Sequence, residues 1–236
     1  AAVIDIGIDI ASSEAAIALA EKYDYVFAAV GIHPHDASKV TDADIARLEE
    51  LAKHPRVVAI GETGLDFYRN RSSKELQVEA FKRQLELASK LGLPVVIHSR
   101  NAKEEVFDIL ADWVAGRKHG DRPVGVLHCF SGDAELGKKY IGMGFLIAFD
   151  GPVTYSKSSS AGVAKEIPLD KMLIETDCPF LTPQAHRGKR NEPSYVSYVA
   201  AKIAEVKDID VEIVAEATSA NAARLFRLQV NQAIER

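Results

Sequence analysis

The stretch PVVIH, residues 94–98, runs through consecutive apolar positions and stops on a histidine. A strand with one wet face alternates apolar and polar side chains, whereas unbroken hydrophobicity needs cover on both faces, as in a parallel sheet flanked by helices. The same form recurs in VIDIGI at 3–8, YVFAAVGI at 25–32, VVAIG at 57–61, VGVLH at 124–128, FLIAF at 145–149 and MLIET at 172–176. Seven such runs, starting 21 to 37 residues apart, give a chain of strand-and-helix units.

The intervening segments carry helical periodicity. DADIARLEELAK at 42–53 is opened by Thr41 with Asp44 three residues on, a capping pair. SKELQVEAFKRQLELASKLG at 73–92 ends on Gly92 with Pro94 beyond it, a helix stop ahead of a strand. The stretch 192–228 reads as two further helices, and no linker or shift in composition divides the chain, so residues 1–236 are expected to form one α/β domain. A closed (β/α)₈ TIM-type barrel needs eight strands, one more than the seven counted. An open doubly wound sheet is the alternative, but it has no need of polar residues at almost every strand end.

Composition narrows the function. The chain is 47% apolar and 7% aromatic, enough for a sizeable core. No window reaches the roughly 18 uninterrupted apolar residues of a membrane span, and the opening AAVIDIGIDI, with Asp5 and Asp9, does not read as a signal peptide. A net charge of −5 argues against broad capture of nucleic acid on a basic face, so a phosphate-bearing partner needs a local site. Two cysteines, Cys129 and Cys178, stand in separate motifs and lack metal-type spacing, which suits a soluble protein of the reducing cytoplasm. Each follows a strand-end residue, so both are expected to point away from it and pack.

The strand ends carry the chemistry. Glu62 follows VVAIG, His98 closes PVVIH, His128 closes VGVLH, and Asp177 follows MLIET. A lone histidine there is usually a hydrogen-bonded rim residue and a lone carboxylate a helix cap. Four at successive strand ends, of the two residue classes that bind hard or borderline divalent ions, point instead to a metal site at the face where barrel active sites form. GIHPH at 31–35 offers another pair, His33 and His35, yet Pro34 turns the chain and breaks the alternation that would aim both the same way. His54 and His119 read as surface histidines.

GETGLD at 61–66, IHSR at 97–100, HCFSG at 128–132 and ETDCP at 175–179 stand in this order with GIHPH, RGKRNEP at 187–193 and TSANAARLF at 218–226. In these motifs the chain closely resembles the TatD family of metal-dependent deoxyribonucleases, a branch of the amidohydrolase-like TIM barrels. The resemblance implies two divalent ions, Mg²⁺, Mn²⁺ or Zn²⁺. It makes Glu62 the carboxylate that bridges them, His98 and His128 ligands of one, and Asp177 a ligand of the other that orients or deprotonates the attacking water. It also places AAVIDIG on the family's second strand, so the first strand and helix, with a His-x-His pair, are expected to be absent from this chain and to precede it in the natural protein. GIHPH then ends the third family strand, with His33 expected on the scissile phosphate and His35 in a structural or rim role.

Phosphate is expected to be gripped by Arg100 and by the loop of His186, Arg187, Lys189 and Arg190, since Arg suits bidentate contact and Lys supplies a point charge. Tyr68 and Tyr155, in strand-end loops, are candidates to stack bases. The function implied by the resemblance is hydrolysis of DNA, single strands trimmed from the 3′ end, with no membrane involvement. Two other readings stay open: a hydrolase of amides, esters or lactones on the same metals, and a nucleic-acid-binding barrel without catalysis, its site incomplete.

Overall fold

In the computed structural model, which describes residues 2–116 and 122–228, all seven apolar runs are strands. His119 lies outside the described residues. The order is β1 (Val3–Ile6), α1 (Ile10–Lys22), β2 (Val26–Val30), α2 (Asp42–Leu51), β3 (Val57–Asp66), α3 (Lys74–Leu91), β4 (Val95–Arg100), α4 (Lys103–Ala115) and β5 (Gly125–Leu127). It continues with α5 (Ala134–Gly142), β6 (Phe145–Phe149), α6 (Ser160–Glu166), β7 (Met172–Ile174), α7 (Val196–Lys207) and α8 (Val211–Phe226). The strands hydrogen-bond in sequence order from β1 to β7. The β1–β2, β2–β3, β5–β6 and β6–β7 pairings are parallel, as a run of βα units requires.

Among the described residues, two compact units divide at β4: residues 2–96 with 222–228, and residues 97–116 with 122–221. In the first, β2 and β3 are buried almost throughout, while β1 is half exposed at one end of the strand order. Helix α3 lays Ala80, Phe81, Leu85 and Ala88 inward, and Gly92, in the left-handed conformation at φ 65°, ends it. Thr41 and Asp44 form the expected capping box on α2. In the second unit every residue of β6 is buried, and its Phe145 meets Tyr140 edge-on and Trp113 at a tilt.

Strand lengths depart from the apolar runs where function is at stake. β3 runs five residues beyond VVAIG, to Asp66, carrying Glu62 inside the strand. β5 and β7 stop at Leu127 and Ile174, so His128, Glu175 and Asp177 stand beyond their strands. Among the described residues, no helix is long and apolar enough to cross a membrane.

Candidate functional site

In the first unit a close backbone approach brings two motifs together. A Cβ on Gly31 would stand 2.5 Å from the carbonyl carbon of Gly61, so only glycine lets the end of β2 lie against β3 there. His33, two residues on, thereby comes to 3.7 Å from Glu62, Nε2 to Oε1. Helix α3 pins both segments through two buried glutamines seven residues apart, hence on one helix face. Gln84 accepts from the Ile32 amide at 2.8 Å and donates to the Ile32 carbonyl at 2.9 Å, replacing ladder partners that β2 has lost at its end. Gln77 does the same for Asp66, accepting from its amide at 2.8 Å and donating to its carbonyl at 3.2 Å.

Pro34 starts a short 3₁₀ helix over Pro34–Lys39, and the two histidines of GIHPH part company there. The His33 Nδ1 accepts the His35 amide hydrogen at 3.2 Å, which leaves the hydrogen of the neutral His33 ring on Nε2, the atom facing Glu62. The His35 Nε2 lies 2.9 Å from the Asp66 Oδ2, and its ring meets His33 edge-on at 4.3 Å. Asp66 is 1% exposed and also accepts from the amides of Tyr68 and Arg69, at 3.0 and 2.9 Å.

The second unit gathers the other residues. His98 is half-buried on β4 and Arg100 exposed at its end. The β6–β7 register pairs Phe149 with Ile174, so Asp150 and Glu175 leave adjacent strands side by side. Glu175 accepts from the Cys129 amide at 2.7 Å and holds the His128 Nδ1 at 2.8 Å. A histidine whose Nδ1–H is engaged by a carboxylate presents the Nε2 lone pair outward, the orientation of metal-binding imidazoles. That Nε2 lies 3.6 Å from the Asp177 Oδ1. Lys103 and Ser131 line a small cleft together with His128.

Cys129 departs from the expectation that it points away from the strand-end carboxylates. Its φ of 45° breaks the extended geometry that would have turned it away, and its thiol donates to the Asp150 carboxylate at 3.2 Å. Burial, above all, and the Asp150 charge push that thiol's pKa far up, so it stays protonated. Cys178 is exposed rather than packed. Of the surface histidines, His54 is half-buried, 3.3 Å from Glu21.

Asp150 is 3% exposed, and burial first, then the Glu175 charge, push its pKa up to about 7. Glu175 and Asp177 both raise it. A buried concentration of negative charge beside an outward-facing imidazole is what a divalent cation relieves, so these residues fit one. A native pKa raised from 3.8 means that the folded state binds the proton more tightly; the burial penalty is nil below pH 3.8, grows to about 7 and is full above that. Asp150→Asn keeps a hydrogen-bond acceptor and removes the penalty. In metal-free protein it should raise the urea midpoint at pH 8 and raise it much less at pH 5; an equal rise at both would refute the assignment.

The proposed phosphate residues sit in a cross-tied loop. The Arg187 guanidinium rests on the Tyr155 ring, 4.3 Å from its centroid, while Lys189 and Arg190 are exposed. His186 instead stacks on Tyr195 at 4.2 Å and bonds the Tyr198 hydroxyl at 2.8 Å, an anchor for the loop. Tyr68 is 57% exposed. Sequence reasoning missed Glu175 as the residue that orients His128, and Asp150 altogether. The signals were present, Glu175 two positions before Asp177 and Asp150 next after FLIAF, but neither shows its partner without the fold.

Comparison with known proteins identifies the family. The family model "TatD related DNase" matches residues 1–227. The chain is 46% identical over 228 residues to the "uncharacterized metal-dependent hydrolase YabD" of Bacillus subtilis (strain 168), covering 96% of this chain and 87% of the relative. It is 37% identical over 229 residues to the "3′-5′ ssDNA/RNA exonuclease TatD" of Pectobacterium atrosepticum, covering 94% and 86%. The crystal structure of YJJV, a TatD homologue from Escherichia coli K12, superposes with a TM-score of 0.88 at 29% identity, over 96% of this chain and 86% of that one. With this TIM-barrel-type α/β fold and these relatives, the chain belongs to the TatD family of metal-dependent hydrolases.

Proposed function

We propose that the protein is a cytoplasmic DNA hydrolase, residues 1–236 forming one catalytic domain, that trims single strands from the 3′ end using two divalent ions. The observation that carries this reading is the His128 imidazole, fixed by Glu175 through Nδ1 with its Nε2 facing Asp177. Relatives named as 3′-5′ ssDNA/RNA exonucleases support the substrate class.

In this reading Glu62 would serve as the carboxylate common to both ions, His98 and His128 would hold one, and Asp177 would hold the other. The donor set of imidazoles and carboxylates suits Zn²⁺ or Mn²⁺ and, less comfortably, Mg²⁺. When bound, the ions supply a water that ionises near neutral pH and charge to clamp the attacking and leaving oxygens. Asp177, beside the His128 imidazole, would be placed to orient a water and to take up a proton there. His33 presents its Nε2–H to a non-bridging phosphate oxygen, the tautomer that its Nδ1 contact with the His35 amide selects. Glu175 keeps the His128 ring from turning, and Arg100, Arg187 and Arg190 hold flanking phosphates as charge-assisted donors.

The test is a time course on an end-labelled single-stranded oligonucleotide with Mg²⁺, Mn²⁺ or Zn²⁺ supplied separately. Progressive shortening from the 3′ end, abolished by EDTA and restored by at least one ion, is expected. Intact DNA under all three ions, with turnover of amide, ester or lactone substrates, would move the protein to the second class of hydrolase.

A further inference from the structure

We propose that Phe180 is a stacking surface for an unpaired nucleobase next to the scissile phosphate, a specificity-determining contact that rests on the nuclease reading above. Phe180 is 68% exposed, more than any other large hydrophobic residue described. A scattered exposed hydrophobe is ordinary on a protein surface, and mobile ones signify little. This one is held on a rigid backbone, three residues past Asp177.

Its amide donates to the Asp177 carbonyl at 2.7 Å. Its carbonyl accepts from the side chain of Asn191, a residue 2% exposed, at 2.7 Å, and the Asn191 amide in turn donates to the Pro179 carbonyl at 3.1 Å. One residue on, Leu181 takes the left-handed conformation at φ 49°, which is unfavourable for a residue with a Cβ. The Leu181 carbonyl is seated so close to Gly151 that a Cβ there would lie 1.8 Å from its oxygen. Thr182 closes the loop, accepting from the Tyr155 hydroxyl at 2.8 Å and donating to the Lys189 carbonyl at 2.6 Å.

Strain at Leu181 and five polar ties thus hold an aromatic ring out in water, an arrangement that hydrophobic burial alone would not produce. The same ties couple the ring to the segment carrying Arg187, Lys189 and Arg190, in a protein whose net charge is −5. A ring face and local cations on one rigid loop match an unpaired base and the phosphates beside it, because stacking tolerates any base while the cations follow the backbone. The occupant is therefore a single strand of nucleic acid.

The test compares a thymidine oligonucleotide with one of equal length whose 3′-terminal residues are abasic. The readout is the ratio of kcat/KM for the base-bearing strand over the abasic strand. Phe180→Ala should lower this ratio about tenfold, the value of one stacked base, and Phe180→Tyr should preserve it. The side chain is exposed, so both variants should keep the parent unfolding transition. An unchanged ratio in Phe180→Ala overturns the proposal, as does an equal loss on both strands. If the parent protein cleaves neither strand, the nuclease reading fails, and fluorescence anisotropy with both strands in EDTA decides the stacking separately. Binding that needs the bases and is lost in Phe180→Ala supports it, and no base-dependent binding overturns it.

Discussion

Glu62→Ala is expected to slow oligonucleotide hydrolysis by at least about a thousandfold, equivalent to roughly 4 kcal/mol of transition-state stabilisation. The proposed role of Glu62 is to bridge two cations, and alanine removes the one group common to both. Metal content should fall with activity, from two ions per chain toward one. The strand should survive the change, because the Glu62 amide donates to the Gly7 carbonyl at 2.9 Å through backbone that the variant retains. Glu62→Gln, which keeps the shape and loses the charge, should lie near alanine in activity. Activity within tenfold of the parent in Glu62→Ala, with two ions still bound, would eliminate the bridging role.

Asp66→Ala should lower unfolding free energy by about 3 kcal/mol, a fall in Tm of roughly 6 to 12 °C for a chain of this size. The carboxylate is 1% exposed and takes three donors, the amides of Tyr68 and Arg69 and the His35 ring, all of which alanine leaves unmatched. Asp66→Asn retains an acceptor and should cost less. The loss should also reach catalysis at temperatures where the variant is folded, since the His35 ring that Asp66 anchors lies edge-on against His33. A Tm within 2 °C of the parent would show that the pocket refills its hydrogen bonds and that Asp66 holds nothing essential.

Much of the fold was legible because its signals are local. Continuous apolar runs marked seven strands, and all seven formed, although β1 is half exposed rather than buried. Thr41 with Asp44 marked the start of α2, and Gly92 marked the end of α3, since caps depend on residues a few positions apart. Strand ends were harder. The run VVAIG gives no hint that β3 continues to Asp66, because the added residues are held by Gly7 and by Gln77 from elsewhere in the chain.

The site divides the same way. Glu62, His98, His128 and Asp177 could be singled out from residue type and position at strand ends, and the order of their motifs pointed to the family. Which nitrogen each histidine presents was beyond reach of sequence. The His128 Nδ1 is engaged by Glu175, 47 positions away, and the His33 Nδ1 by a backbone amide that a 3₁₀ turn brings round. Asp150 and the held-out ring of Phe180 likewise acquire meaning only from neighbours across the sheet or loop. Sequence by itself determined which side chains carry metal-type donors and which segments form strands, because hydrophobicity and donor chemistry belong to single residues. Tertiary structure alone decided tautomer, carboxylate burial and the rigid exposure of an aromatic, because each is set by contacts between residues distant in the chain.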